Sequence, residues 1–169
     1  FGRQKVIKGI PEDELEAFVL KRFNAAGINA SGIVKDILAF TGYHPYYTQQ
    51  LGHELYIQQN EERAGALGKE SITAAVGNII TEHGADYKRW WNGLDNTERK
   101  IVIGIAEGCN GVTSKKFIRK YGIPAASTSG SALERLIDKG IVVRRNVNSY
   151  ELEDPFWKEW ILLSRRQAE

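Results

Sequence analysis

A chain of 169 residues with 42% hydrophobic and 26% charged side chains has the make-up of one globular domain, or of two small ones, and not of a fibrous or disordered protein. No apolar run approaches the roughly 18 residues needed to cross a bilayer, and the opening residues do not read as a signal peptide. A single cysteine, Cys109, excludes an internal disulfide and a cysteine metal cluster, and with the rest predicts a cytoplasmic protein. The net charge is only +2. It is unevenly placed, with 13 basic and 10 acidic residues over 95–169 against 10 and 11 over 1–94, which permits a polyanionic partner without demanding one.

The chain starts at Phe1 and contains no Met, which predicts a piece of a longer protein whose partner lies upstream. Val6, Ile7 and Ile10 allow a lone strand near 4–8. Pro11 and the acidic run Glu12, Asp13, Glu14 and Glu16 open a helix with Leu15, Phe18, Val19, Phe23 and Ala26 as its buried face, stopped at Gly27. Ser31 is the expected cap of a second helix carrying Ile33, Val34, Ile37, Leu38 and Phe40, ended by Gly42. Pro45 opens a third, with Tyr46, Tyr47, Leu51, Leu55 and Tyr56 as core candidates. A surface loop over 60–69 leads to a long fourth helix over about 70–92, in which Gly84 marks a kink or break.

Residues 93–96 read as a hinge, with Asp95 or Asn96 capping a helix over 97–107. Gly104 lies inside that helix and weakens it. Thr113 or Ser114 caps the next helix, stopped at Gly122. The Ser/Thr-rich run 127–131 precedes a helix with Ala132, Leu133, Leu136 and Ile137, stopped at Gly140. Strands at 141–143 and 150–152 flank a short turn. Asp154-Pro155 starts a last helix in which Asp154 caps and Phe156 and Trp160 are buried. Three helices followed by strand, turn and strand describe a winged helix-turn-helix.

The stretch Thr41-Gly-Tyr-His-Pro-Tyr-Tyr-Thr-Gln-Gln-Leu51 resembles the GGHPYYxQxL segment of archaeal-type AAA+ ATPases, a family also found in bacteria and related to the STAND NTPases. Trp90-Trp91, Leu94, Glu98-Arg99, Ile105-Ala106, Ala126-Ser127, Asp154-Pro155-Phe156 and Trp160 continue the likeness in order. The resemblance implies a mainly α chain. A helical AAA+ lid bundle over 1–92, with a residual strand near 4–8, would precede a winged helix over 97–169 with a two-stranded wing. It also implies that Gly42, His44, Pro45 and Tyr46 face the nucleotide, although Tyr43 stands where the pattern has its second Gly. The sequence has no G-x-x-x-x-G-K-[ST] loop and no apolar strand ending in paired acids. The expectation is therefore a non-catalytic C-terminal regulatory fragment. It would carry no cofactor of its own, with ATP and magnesium in the parent protein and a P-loop ATPase core in cis. The alternative is a free-standing winged-helix DNA-binding protein with a helical accessory domain.

For DNA contact the candidates are Lys115, Lys116, Arg119 and Lys120 on one basic helix, Ser127 and Ser129 at the start of the third, and Arg144 and Arg145 on the first wing strand. No Arg, Asn or Gln occupies the first turns of that third helix, so bidentate base reading is not expected there. Non-specific phosphate contact, or a winged helix used as a protein-interaction or packing module, fits better. His53 and His83 have no ligand-spaced partners, so no metal site is expected. Cys109 has no base nearby in sequence, so no catalytic thiol is expected either.

Overall fold

The computed structural model describes residues 10–61 and 67–167. The expected strand near 4–8 lies outside them. Two compact units divide the chain, one up to Ile79 and one from Ile80.

In the first unit, α1 (Glu12–Ala25) begins after Pro11, with Glu12, Asp13 and Glu14 in the first turn beside the positive end of the helix dipole. Its buried stripe is Leu15, Val19 and Phe23, one residue per turn. Phe18 falls off that stripe and is exposed, as is Ala26, so the apolar face is narrower than the sequence predicts. Ile28 N–H donates to the Phe23 carbonyl at 2.9 Å and closes the helix around Gly27.

Ser31 does not cap α2 (Val34–Phe40). Its N–H and hydroxyl instead donate to Asn29 Oδ1 at 3.1 and 2.7 Å. The chain makes a turn over 31–33 before the helix begins. Ile33, Val34, Ile37 and Leu38 pack inward, with Phe40 half-buried.

In α3 (Pro45–Glu61) Leu51 and Leu55 are fully buried, whereas Tyr46 and Tyr56 are exposed and Tyr47 is half-buried. The inner place on its first turn belongs to Thr48, whose hydroxyl lies 2.7 Å from that of buried Thr41. The expected long fourth helix is two helices, α4 (Lys69–Glu82) and α5 (Gly84–Asn92), parted at His83. The division between units falls inside α4.

The second unit holds α5, α6 (Asn96–Ala106), α7 (Lys115–Tyr121), α8 (Ala126–Asp138), β1 (Val142–Asn146), β2 (Ser149–Leu152) and α9 (Pro155–Arg166). Asp95 and Glu98 form a reciprocal capping box at the start of α6. The Asp95 side chain takes the Glu98 N–H at 2.8 Å, and the Glu98 side chain takes the Asp95 N–H at 3.0 Å. The Ser114 hydroxyl caps α7. The Ser/Thr run lies within α8 and not before it. The helix starts at Ala126, and Ser129 is buried with its hydroxyl donating 2.7 Å to the Val112 carbonyl.

β1 and β2 pair antiparallel with Val142 opposite Leu152 and Arg144 opposite Tyr150, and the register shifts between Arg144 and Asn146. Gly111 N–H reaches the Asn148 carbonyl at 3.3 Å, tying the wing turn to the loop before α7. Asp154 caps α9 by accepting from the N–H groups of Phe156 and Trp157. Phe156 and Trp157 are buried, while Trp160 is half-buried and not fully enclosed as expected. Trp90 stands edge-on to Trp157 at 5.8 Å, and Trp91 and Trp160 lie 6.5 Å apart, so α5 and α9 share an aromatic seam. The architecture is mainly helical with a two-stranded wing. No helix among the described residues is long and apolar enough to cross a membrane.

Candidate nucleic-acid interface

α7 is a seven-residue helix that seats one apolar side chain, Phe117, in the core. Gly104 of α6 makes this close seat possible. A Cβ added there would overlap the Phe117 ring and touch that of Tyr121. With Phe117 inward, Lys115, Lys116, Arg119 and Lys120 face outward and line a shallow open depression. Lys115, Lys116 and Arg119 make no ion pair among the described residues.

Lys120 is held differently. Its ammonium donates to Glu107 Oε2 at 2.9 Å and lies 3.5 Å from Cys109 Sγ. Glu107 also accepts the Tyr121 phenol proton at 2.7 Å and pairs with Arg165 at 3.4 Å. The Cys109 thiol, 3.1 Å from the same phenol oxygen, completes the cluster. Burial opposes the charge on Glu107. The hydrogen bonds from Tyr121 and Lys120, with the charges of Lys120 and Arg165, outweigh it and hold the carboxyl below its ordinary range. Burial, then Cys109 and Glu107, push the Tyr121 phenol up.

The wing arginines are paired as well. Arg144 reaches Glu134 at 3.1 Å and stacks over Tyr150, and Arg145 reaches Glu151 at 2.7 Å. All four charged side chains are about half exposed, and such pairs are worth only about 0–1 kcal/mol.

On α8, Ser127, Thr128, Ser131, Glu134 and Asp138 are exposed. Ser129, a groove candidate in the sequence, turns inward with its hydroxyl committed to Val112, which leaves Ser127 as the outward serine of the pair. Arg135 and Lys139 lean back to α6. Arg135 bonds Asp95 at 2.7 Å and Glu98 at 3.2 Å, and Lys139 bonds both Glu98 oxygens at 2.8 and 2.9 Å. Burial raises the Glu98 carboxyl, but the bonds from Lys139, the Asp95 N–H and Arg135 win and leave it below the ordinary glutamate value. Sequence reading set Glu134 and Asp138 against Arg135 and missed the observed pairings, of Arg135 with Asp95 and Glu98, of Lys139 with Glu98, of Lys120 with Glu107, of Arg144 with Glu134 and of Arg145 with Glu151. Only the D-x-x-E spacing of Asp95 and Glu98 gave a local signal.

In the first unit, Gly42 and Tyr43 are both left-handed, with φ of 58° and 57°. Tyr43 N–H donates to the Leu38 carbonyl at 2.9 Å, which closes α2. A side chain in this region costs about 1–2 kcal/mol, which is why Gly is the natural residue at position 43. His44 is half-buried with its ring 4.7 Å from Tyr47, while Gly42, Pro45 and Tyr46 are exposed. The four expected nucleotide-facing residues thus share one tight turn. Among the described residues no group of three His, Cys, Asp or Glu side chains could hold a metal ion.

Residues 85–163 match the model of a family described as a probable winged helix domain. No curated protein and no solved structure matches the chain. The match runs from α5 into α9 without reaching the first unit, and attaches nothing to an AAA+ or STAND core. With the helix-turn-helix and the paired wing strands in place, residues 85–163 form a winged helix domain.

Proposed function

We propose that the chain is the non-catalytic C-terminal regulatory part of an AAA+-type ATPase. Its first helices act as a lid over the nucleotide of a P-loop core in cis, and its winged helix domain holds the phosphate backbone of duplex DNA. The lid half of this reading is supported by the sequence resemblance and by the tight turn over 42–46, in which Gly42, Pro45 and Tyr46 are exposed. ATP and magnesium belong to the parent protein, because the sequence has no phosphate-cradling loop. The gene upstream of Phe1 tests this half: a P-loop there supports it, and a start codon near Phe1 overturns it in favour of a free-standing winged-helix DNA binder.

One observation carries the DNA half: Lys115, Lys116 and Arg119 stand unpaired among the described residues on one exposed side of α7. Arg119 stands four residues after Lys115 and three after Lys116, so it neighbours both on the helix surface, and phosphate contacts position a protein without reading sequence. The exposed first turns of α8 offer short hydroxyls and no Arg, Asn or Gln, so bidentate base reading is absent from this reading. Three cations give a slope of log K against log salt of about −2.7. A salt titration on two unrelated duplexes is expected to give that slope on both. Substituting all three by Ala removes it. A strong preference for one duplex, or a slope indifferent to the triple change, overturns the assignment. The second reading, a winged helix used for protein contact, is favoured by the acids of α8 and the neutralised wing, and predicts no duplex binding even at low salt.

A further inference from the structure

We infer that Glu107 sets the size of the phosphate footprint by withholding Lys120 from it. The inference rests on the reading of α7 as the phosphate contact and adds a residue that limits it. Lys120 follows Arg119 directly and lines the same depression, so by position it extends the cation row. Its charge is nevertheless already answered by Glu107 at 2.9 Å.

Among the described residues three carboxylates answer the cations of α7 and the wing, but they differ in grip. Glu134 and Glu151 are more than half exposed and each meets one arginine, so a polyanion can exchange for them. The Glu107 side chain is only 25% exposed and is held from three directions, by Lys120, Tyr121 and Arg165. A carboxylate fixed by a phenol proton and a second cation stays in place when a phosphate approaches Lys120. Phosphate therefore meets Lys120 as a neutral pair, next to three unanswered cations. Like-charge repulsion from Glu107 also marks the edge beyond which a backbone cannot track along α7.

The test uses the full chain and one duplex of random sequence. Glu107→Gln keeps the size and a hydrogen-bonding group at the site while removing the charge. Its salt slope is expected to steepen by about 0.9, the value of one released cation, and Lys120→Ala added to that variant is expected to restore the native slope. Lys120→Ala alone is expected to leave the native slope unchanged, a measurement that stands even where Glu107→Gln does not fold. A slope that drops by about 0.9 in Lys120→Ala shows that phosphate already displaces Glu107, and overturns the inference. So does a folded Glu107→Gln with the native slope. A native chain that binds no duplex removes the α7 reading and this inference with it, whereas a native slope near −2.7 with no response to Glu107→Gln removes the inference alone.

Discussion

Arg135 in α8 and Lys139, the residue that ends it, turn back to Asp95 and Glu98 at the start of α6, whereas in α7 Lys115, Lys116 and Arg119 meet no carboxylate among the described residues. The two helices of the helix-turn-helix differ in how far their charges are committed. α8 has 13 residues, buries Ser129, Ala132, Leu133 and Leu136, and adds an ionic clamp to that apolar face. α7 has seven residues and one buried anchor. A helix whose cations are committed to its own fold is poorly placed to exchange them for phosphate. The short helix, seated by the Phe117 ring and tied through Tyr121 and Lys120 to Glu107, keeps Lys115, Lys116 and Arg119 available.

The contrast can be broken from the α8 side. Glu98→Ala removes half of the capping box and the carboxylate that Arg135 and Lys139 share. A loss of about 2–3 kcal/mol in urea unfolding is expected, and a change of a few tenths would show that the clamp is ornamental. The same carboxyl sets a pH dependence. Its folded pKa lies below the ordinary glutamate value of 4.5, so its stabilisation is complete above that pH and is lost as pH falls through the folded value. Asp154, raised mainly by burial, acts in the opposite sense and favours the fold at lower pH. Glu98→Gln is therefore expected to flatten the acid limb of a stability–pH curve, and a limb of unchanged steepness would assign it to other carboxylates.

From the α7 side, Gly104→Ala drives a methyl group into the Phe117 ring. The expected cost is about 1–3 kcal/mol, the range for overpacking, even though Ala is the better helix former. A stabilised variant would mean that α7 shifts freely and that its seat is loose. The smallest contrast lies within α8 itself. Ser129→Ala leaves the buried Val112 carbonyl without its donor and is expected to cost about 1 kcal/mol, while Ser127→Ala changes stability by less than about 0.5 kcal/mol. Equal effects at the two positions would contradict the inward placement of Ser129.

Much of the fold was legible because its signals are local. Ser114 before α7, Gly122 after it and Asp154-Pro155 before α9 each mark an end by chemistry confined to a few residues. Helical periodicity likewise found Leu51 and Leu55, and Ile101 and Ile105. The errors arose where a residue's role is set by something distant in sequence. Gly104 reads as a weak point until Phe117, 13 positions on, lies over it. Ser129 reads as a polar residue of a helix start until Val112 accepts its proton. Phe18, Tyr46 and Tyr56 read as core because they are large and suitably spaced, but Leu15, Val19 and Phe23 of α1 and Thr48, Leu51 and Leu55 of α3 are the residues that turn inward. For the basic residues, charge was readable and availability was not. The partners of Lys120, Arg144 and Arg145 lie 13, 10 and six residues away, and only the folded chain brings them together.

The aromatic seam between α5 and α9 also makes the winged helix domain its own spectroscopic reporter. All four tryptophans of the chain, Trp90, Trp91, Trp157 and Trp160, belong to the second unit, and none belongs to the first. Trp157 is buried and Trp90 lies edge-on to it, so their emission changes when α9 leaves α5. Helical content, by contrast, draws on α1 to α3 as well. Tryptophan fluorescence and far-ultraviolet dichroism, recorded on one denatured series, thus set a reading of the second unit beside a reading of both units together, without any label.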